Sequence, residues 1–187
     1  KDALKEYLMS RTQDLSTDVL VTVSNIIQDV KNNKDEACLK YTREFDHVLL
    51  DTMEVTEEEL DIQISKCDKD FVEAMKLAKK NIEDFHKLQR QNGYLLQKEM
   101  GIYLGQRVLP LEAVGIYVPG GRAQYPSSVL MNALPAKIAG VKNVVMVTPP
   151  DSEGTIHPNI AYAARLAGVD KIYKIGGAQA IAALAYG

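Results

Sequence analysis

A short apolar run that leads through a Pro-Gly-Gly turn into a helix constrains the fold of this chain more than any other feature. The run is V-G-I-Y-V-P-G-G at residues 114–121, and R-A-Q-Y-P-S-S-V-L-M-N-A follows it directly. A strand, a glycine turn and a helix start in immediate succession are typical of an α/β protein that directs backbone N–H groups toward an anionic or polar ligand. We therefore expect a ligand site at this turn.

Strand and helix segments alternate through the rest of the sequence. The periodicity predicts strands at 114–118, 143–148 and 171–175, and helices at 126–139, at 158–167 and from Gly177 onward. The last two strands each follow a helix-ending glycine, in A-G-V-K-N-V-V and A-G-V-D-K-I-Y. Alternation at this spacing is typical of βαβ units in a parallel sheet. The predicted fold class is therefore α/β, with a Rossmann-like parallel βαβ lobe.

The first half of the chain has a helical pattern instead. Apolar residues recur at helical spacing over 14–91, among many Lys, Glu, Asp and Asn residues. Thr56 with Glu59 forms a capping box, and Asp68 is placed to cap the next helix. Residues 53–55, just before the capping box, are a candidate short strand.

Two β segments follow near residue 94, where the helical pattern ends. Segments 94–97 and 102–109, with a glycine turn between them, predict a β-hairpin that Pro110 ends. We therefore divide the chain into a helical N-terminal region, 1–93, and a second region, 94–187, that contains the hairpin and the Rossmann-like lobe.

Composition excludes several classes of protein. Of the 187 residues, 46% are apolar and 25% are charged, and the net charge is −3, so there is no basic field for nucleic acid. No apolar run approaches bilayer length, and the first residues lack the apolar core of a signal peptide. Cys38 and Cys67 lie far apart in helical patterns, so neither a disulfide nor a thiolate metal site is expected. These observations predict a cytoplasmic protein without nucleic-acid or membrane partners.

The sequence lacks the usual catalytic motifs. The dinucleotide fingerprint G-x-G-x-x-G is absent. His47, His86 and His157 have no metal-ligand spacing. We interpret His47 as a turn residue, His86 as a helix-surface or domain-interface residue, and His157 as a helix-start residue. Two Gly-Gly turns, 120–121 and 176–177, should lie side by side at the carboxyl edge of the sheet, although such pairs more often serve only as turns. The residues by themselves predict a ligand-binding edge without a catalytic set.

Several blocks of this sequence closely resemble the histidinol dehydrogenase family. The most specific lie within 114–187: V-G-I-Y-V-P-G-G-R-A-Q-Y-P-S-S-V-L-M-N-A, V-V-M-V-T-P-P and A-G-V-D-K-I-Y-K-I-G-G-A-Q-A-I-A-A-L-A-Y-G. Y-T-R-E-F-D at 41–46 and N-I-E-D-F-H-K-L-Q at 81–89 share the likeness. The resemblance implies an aldehyde dehydrogenase-like Rossmann fold. It also implies a cytoplasmic, homodimeric, zinc-dependent enzyme that uses two NAD molecules to oxidise L-histidinol through the aldehyde to L-histidine, in the last steps of histidine biosynthesis.

The same resemblance implies roles for individual residues. It places NAD contacts on Tyr117, in Y-V-P-G-G, and on Gln179, in G-G-A-Q-A, with Pro119 shaping the same pocket. Phe45 matches an aromatic residue that the family places near the substrate, and a place in the apolar core is an equal alternative. The family's catalytic Glu-His pair and its zinc ligands, a Gln, two His and an Asp, would follow Gly187. No catalytic or metal-ligating residue is therefore assigned within this sequence.

The sequence stops a few residues into a predicted helix, where an independent domain rarely ends. We therefore expect an incomplete Rossmann-like lobe that carries part of the NAD site and is inactive by itself. A non-catalytic ligand-binding module on the same fold is the alternative from another class of function. A relative of the aldehyde dehydrogenases is a weaker enzymatic alternative, because the catalytic cysteine of that group is not in view.

Overall fold

A computed structural model describes residues 17–120 and 124–187. In it, the helical half of the sequence forms three helices: α1 (Thr17–Tyr41), α2 (Glu57–Ser65) and α3 (Lys69–Lys87). One turn of π-helix, Thr42–Asp46, continues α1. The first residues of the predicted helical stretch, 14–16, lie outside the described part of the chain. Both predicted caps are confirmed. Thr56 Oγ1 accepts a hydrogen bond from the backbone N–H of Glu59 at 3.1 Å, and the Asp68 carboxylate caps the first turn of α3.

Helix α1 is broken near its middle, which the apolar periodicity did not predict. Lys34 has φ 50° and ψ −125°, a conformation that an α-helix does not contain. An ion pair between Lys40 and Asp29, 2.8 Å long, joins the two halves of the helix across the break. The ammonium of Lys34 also donates to the backbone carbonyl of Tyr186, 2.8 Å away, so the break is attached to the end of the chain.

The predicted hairpin is confirmed and its second strand is shorter than expected. Strands β1, Tyr94–Glu99, and β2, Ile102–Gln106, pair antiparallel. Tyr94 is opposite Gln106, so residues 107–109 have no partner strand and β2 ends there. Both strands are exposed along their whole length.

The second half of the chain forms the predicted parallel sheet. The elements in chain order are β3 Ala113–Tyr117, α4 Pro126–Ala139, β4 Asn143–Thr148, α5 Pro158–Ala167, β5 Lys171–Lys174 and α6 Gly177–Tyr186. The three strands lie in the order β3-β4-β5, and both pairings are parallel. The α/β prediction is therefore confirmed, and each predicted strand of this sheet, with each predicted helix from α4 to α6, is present to within one residue at each end.

The candidate strand at 53–55 pairs with the sheet as a single antiparallel bridge. Glu54 lies opposite Tyr173 of β5. The backbone N–H of Val55 donates to the Ile172 carbonyl at 2.9 Å, and that of Lys174 donates to the Met53 carbonyl at 2.7 Å. This segment therefore covers the outer edge of β5.

The sheet has an apolar layer on each face. One layer contains Ile116, Val144 and Met146 with buried residues of α4 and α5, and α2 and α3 add Leu60 and Met75 from outside. The layer on the other face is built mainly from α1 and α6 and contains Ile26, Val30, Cys38, Tyr41, Val147, Ile175, Ala180 and Ala182. The first layer contains side chains from both regions of the sequence. The division at residue 93 remains a prediction. No helix in the part of the chain that the structure describes combines the length and the apolar character that a membrane span requires.

A buried ion pair attaches α2 to the sheet. The ammonium of Lys174, on β5, lies 3.1 and 3.0 Å from the two carboxylate oxygens of Glu59. Only 8% of the Lys174 side chain and 20% of the Glu59 side chain are exposed. Glu59 is also the fourth residue of the capping box, and its backbone N–H donates to Thr56, so one residue connects the start of α2 to β5.

Candidate functional site

The loops that follow the three parallel strands meet at the ring of Pro149, just beyond β4. A Cβ atom added to Gly120, after β3, would lie 2.7 Å from Pro149 Cγ. A Cβ atom on Gly176, after β5, would lie 2.7 Å from Pro149 Cβ. Such distances leave no room for a side chain, so glycine is required at both turns for the close approach. The predicted neighbouring position of the two glycine turns at the carboxyl edge is confirmed for these residues, and Gly121 lies outside the described ones.

The first turn of α6 places a buried amide against its own backbone. Gly177 has φ +62°, and a Cβ atom there would lie 2.5 Å from Oε1 of Gln179. The Gln179 side chain is 1% exposed. Because Gly177 has no side chain, the Gln179 amide can lie directly over the glycine turn.

The amide of Gln179 has no partner for either of its polar atoms. Both Nε2 and Oε1 are buried without a hydrogen bond. Leaving a buried polar group unsatisfied costs about 1–3 kcal/mol, so native structures retain few of them. The N–H donors on Nε2 and the acceptor Oε1 are therefore available at this turn for a bound molecule.

The helices that follow the two glycine turns begin at residues whose own side chains do not cap them. Thr56, Asp68 and His157 cap α2, α3 and α5 with side-chain acceptors. Among the described residues, the N-cap residues of α4 and α6, Tyr125 and Gly176, make no such side-chain bond. The positive ends of the dipoles of α4 and α6 therefore lie at this edge of the sheet, where they favour an anionic group such as a phosphate.

Tyr117 lies at the same edge, at the end of β3. It is opposite Val147, which is opposite Tyr173, so the three side chains share the face of the sheet that α1 and α6 cover. Tyr117 is half-buried against the layer that contains Ala180, and Pro119 is exposed just beyond it. The structure therefore places Tyr117, Pro119 and Gln179 on one edge, and their contacts with NAD remain a prediction.

Phe45 lies outside the apolar core, so that alternative was wrong. Its side chain is 49% exposed and stacks on Tyr41, with ring centroids 5.5 Å apart. Phe45 belongs to the π-helical turn, which contains two further side chains, those of Thr42 and Asp46, that the sequence did not indicate as functional. Thr42 Oγ1 and Asp46 Oδ2 are buried there without a hydrogen-bond partner. Burial raises the pKa of the Asp46 carboxyl, against a smaller opposing effect of His47.

His157 and the two cysteines have structural environments. His157 Nδ1 accepts from the backbone N–H of Asn159 at 3.2 Å, which confirms its predicted role at a helix start. Burial, with a smaller contribution from Asp35, raises the pKa of the Cys38 thiol to about 11. Cys67 lies in the turn between α2 and α3 rather than within a helix, because Asp68 already caps the next one. Among the described residues, no cluster of three or more His, Cys, Asp or Glu side chains could hold a metal ion.

A cleft of about 330 Å³ lies elsewhere, between residues 89–93 and 108–110, beside Ala139 at the end of α4. It is at the amino edge of the sheet, since residues 108–110 precede β3. The cleft therefore does not include the residues at the carboxyl edge.

Comparison with known proteins relates nearly the whole chain to one family. The sequence model of the histidinol dehydrogenase family matches residues 9–187. The histidinol dehydrogenase of Clostridium acetobutylicum is 54% identical over 182 residues, which are 97% of this chain and 42% of that protein. That of Streptococcus mutans is 52% identical over 170 residues, which are 91% of this chain and 39% of that protein.

A solved structure gives the same relationship. The crystal structure of histidinol dehydrogenase from Elizabethkingia anophelis superposes with a TM-score of 0.87 at 39% identity, and the match covers 94% of this chain and 40% of that one. The chain therefore spans about two fifths of the length of the relatives that it matches.

Proposed function

This chain belongs to the histidinol dehydrogenase family, and on that premise we propose that it contributes the NAD side of an enzyme that oxidises L-histidinol to L-histidine. The reaction proceeds in two steps, through the aldehyde, with assistance from zinc. The protein acts in the cytoplasm as a homodimer, without nucleic-acid or membrane partners. This chain's own part in the reaction is to bind and orient the cofactor.

The observation that carries the proposal is the buried, unpartnered amide of Gln179 in the first turn of α6. NAD offers hydroxyl and amide donors together with phosphate, hydroxyl and carbonyl acceptors. The free Nε2 donor and Oε1 acceptor of Gln179 fit such a ligand. A bound cofactor would supply the hydrogen bonds that Gln179 lacks.

The rest of the carboxyl edge fits other parts of the same molecule. The N-terminal ends of α4 and α6 suit the negatively charged pyrophosphate. The ring of Tyr117 offers an apolar face and a hydroxyl beside them, and Pro119 limits the space beyond it. NAD, when bound, accepts a hydride in each of the two oxidations. Tyr117 and Gln179 fix the position of the cofactor, and Phe45 lies on the side where we expect the substrate.

Zinc does not fit the described residues of this chain. The described residues contain no cluster of donors of the size that zinc needs, which is usually four ligands. We therefore place the zinc ligands and the catalytic bases in the part of the longer relatives that this chain does not span. No step of the reaction is assigned to a metal on this chain.

Calorimetric titration of NAD into the complete gene product tests the cofactor site. Gln179→Ala removes both orphaned amide atoms and should raise the Kd for NAD about 10-fold, the equivalent of one or two hydrogen bonds. Gln63→Ala is the matched control, because Gln63 is also a buried glutamine and its Oε1 is bonded to Lys66. Absence of NAD binding by the wild-type protein, or equal affinity in the Gln179→Ala variant, would contradict the proposal.

A turnover assay separates the enzyme from the non-catalytic binding module. NADH formation from L-histidinol in the presence of zinc is followed by absorbance with the complete gene product. Zinc-dependent turnover supports the dehydrogenase. Saturable NAD binding without turnover would favour the module instead.

A further inference from the structure

The π-helical turn, Thr42–Asp46, lies near the carboxyl edge of the parallel sheet. Residues 53–55 run antiparallel to β5, so the chain before Met53 extends past the carboxyl end of that strand. A Cβ atom on Gly154, in the loop after β4, would lie 3.1 Å from Leu50 and 3.3 Å from Val48. The segment that follows the π-helical turn therefore passes over the loop beyond β4.

The start of the same turn faces α6. Cys38 and Tyr41, in the last turn of α1, belong to one apolar layer with Ile175 and Ala180. Ile175 directly follows β5, and Ala180 is the neighbour of Gln179 in the first turn of α6. Thr42 therefore continues α1 on the side of the sheet where Gln179 is buried.

Among the residues that the structure describes, all buried side-chain oxygen and nitrogen atoms without a hydrogen-bond partner belong to the π-helical turn or to the first turn of α6. They are Thr42 Oγ1, Asp46 Oδ2 and the two amide atoms of Gln179. Thr42 is 0% exposed and Gln179 is 1% exposed. Buried polar groups elsewhere are satisfied, as in the pair of Lys174 with Glu59. Unpaired buried groups confined to one edge indicate a ligand that pairs with them, and π-helical turns are frequent at functional sites.

We propose that Thr42 and Asp46 form the second side of the NAD site and bind hydroxyl groups of a ribose. The inference rests on the proposed function and adds residues to the same site. A carboxylate oxygen accepts from a hydroxyl, and a threonine hydroxyl can both donate and accept, so the two suit the adjacent hydroxyls of a ribose. The pyrophosphate belongs at the N-terminal ends of α4 and α6 instead, since a carboxylate repels it. For the same reason, Asp46 disfavours the 2′-phosphate of NADP.

The test compares isosteric variants of the complete gene product. Thr42→Val and Asp46→Asn keep the shape of each side chain, and Thr52→Val and Asp51→Asn are matched controls at exposed positions of the following segment. We expect the Kd for NAD to rise about 5- to 20-fold in the first two variants and to remain unchanged in the controls, as for the loss of one hydrogen bond to a ligand.

Two further measurements separate ligand binding from a structural role. The melting temperature without ligand should stay the same or rise in Thr42→Val, because the substitution removes an unsatisfied buried hydroxyl. NAD analogues that lack one ribose hydroxyl should bind the wild-type protein more weakly than NAD does. For at least one such analogue, the Asp46→Asn variant should bind as tightly as the wild-type protein does, because the hydroxyl that Asp46 would bind is already missing.

Several outcomes would overturn the inference. A lower melting temperature with unchanged affinity for NAD would make both residues structural. Weaker binding of L-histidinol with unchanged binding of NAD would overturn the ribose assignment. If the wild-type protein binds NAD and neither variant changes the affinity, this inference fails and the proposed function stands. If the wild-type protein does not bind NAD, both fail.

Discussion

Gly177→Ala tests the packing at the start of α6. The new methyl group would require two adjustments. The backbone at φ +62° is left-handed, which costs an alanine about 1–2 kcal/mol. The Cβ atom would also lie 2.5 Å from Oε1 of Gln179, so this buried amide must move.

Comparison with Gly168→Ala isolates the second adjustment. Gly168 has φ +74°, and its added Cβ atom would lie 3.9 Å from the nearest atom, in the side chain of Lys137. This variant therefore bears the left-handed backbone without a clash. Forcing an extra methyl group into a packed interior costs about 1–3 kcal/mol. At about 2–4 °C per kcal/mol for a chain of this size, Gly177→Ala should melt about 2–12 °C below Gly168→Ala.

Thermal unfolding of both variants, with a double-mutant cycle, provides the measurement. When Gln179 is replaced by Ala, the Cβ atom at position 177 has no amide to displace. The additional cost of Gly177→Ala should then disappear, and the two glycine variants should lose similar stability. Equal melting temperatures of Gly177→Ala and Gly168→Ala in the wild-type background would refute the reasoning.

Two further predictions concern charged groups. Lys174→Met leaves Glu59 without its partner and should lower the free energy of unfolding by about 2–4 kcal/mol, whereas Lys171→Met, in an exposed ion pair, should change it by less than about 1 kcal/mol. Similar losses in a denaturant titration would argue against the buried pair. The hydrogen bond from Lys40, then that from the Asn33 amide, lowers the pKa of Asp29 to about 2. Because the folded pKa lies below the unfolded one, the stability that this carboxylate contributes is present above about pH 4 and is lost as the pH falls toward 2. NMR titration should give this pKa, and Lys40→Met should return it toward 3.8.

Most elements of the fold follow from local signals in the sequence. Gly140 and Gly168 end their helices in left-handed conformations, as each A-G-V triplet predicts. The capping box at Thr56 and the cap at Asp68 also act within a few residues of their own positions. Interactions of this range can be found from one sequence, because both partners lie close together in it.

The differences arise where distant parts of the chain interact. The break at Lys34 lies in the polar run K-N-N-K-D-E at 31–36, and the contact that attaches this residue to Tyr186 spans 152 positions of the sequence. The end of β2 depends on where β1 begins. In the site, resemblance indicated Gln179, but the absence of hydrogen-bond partners depends on packing. The same limit applies to Thr42 and Asp46, since neighbouring sequence cannot show that a hydroxyl is buried without a partner.

The bridge at Met53–Val55 gives the sheet a single open side. The N–H and carbonyl groups of β5 that face outward are already paired with this segment. Beside β3, no strand pairs within the described part of the chain. Helix α6 passes beneath β3, because a Cβ atom on Gly115 would lie 2.7 Å from Leu184. A strand that followed α6 would therefore join the sheet beside β3. The helix that leads to it, α6, lies on the opposite face of the sheet from α4. The strand order would reverse there, and the crevice at this topological switch point would open next to Tyr117.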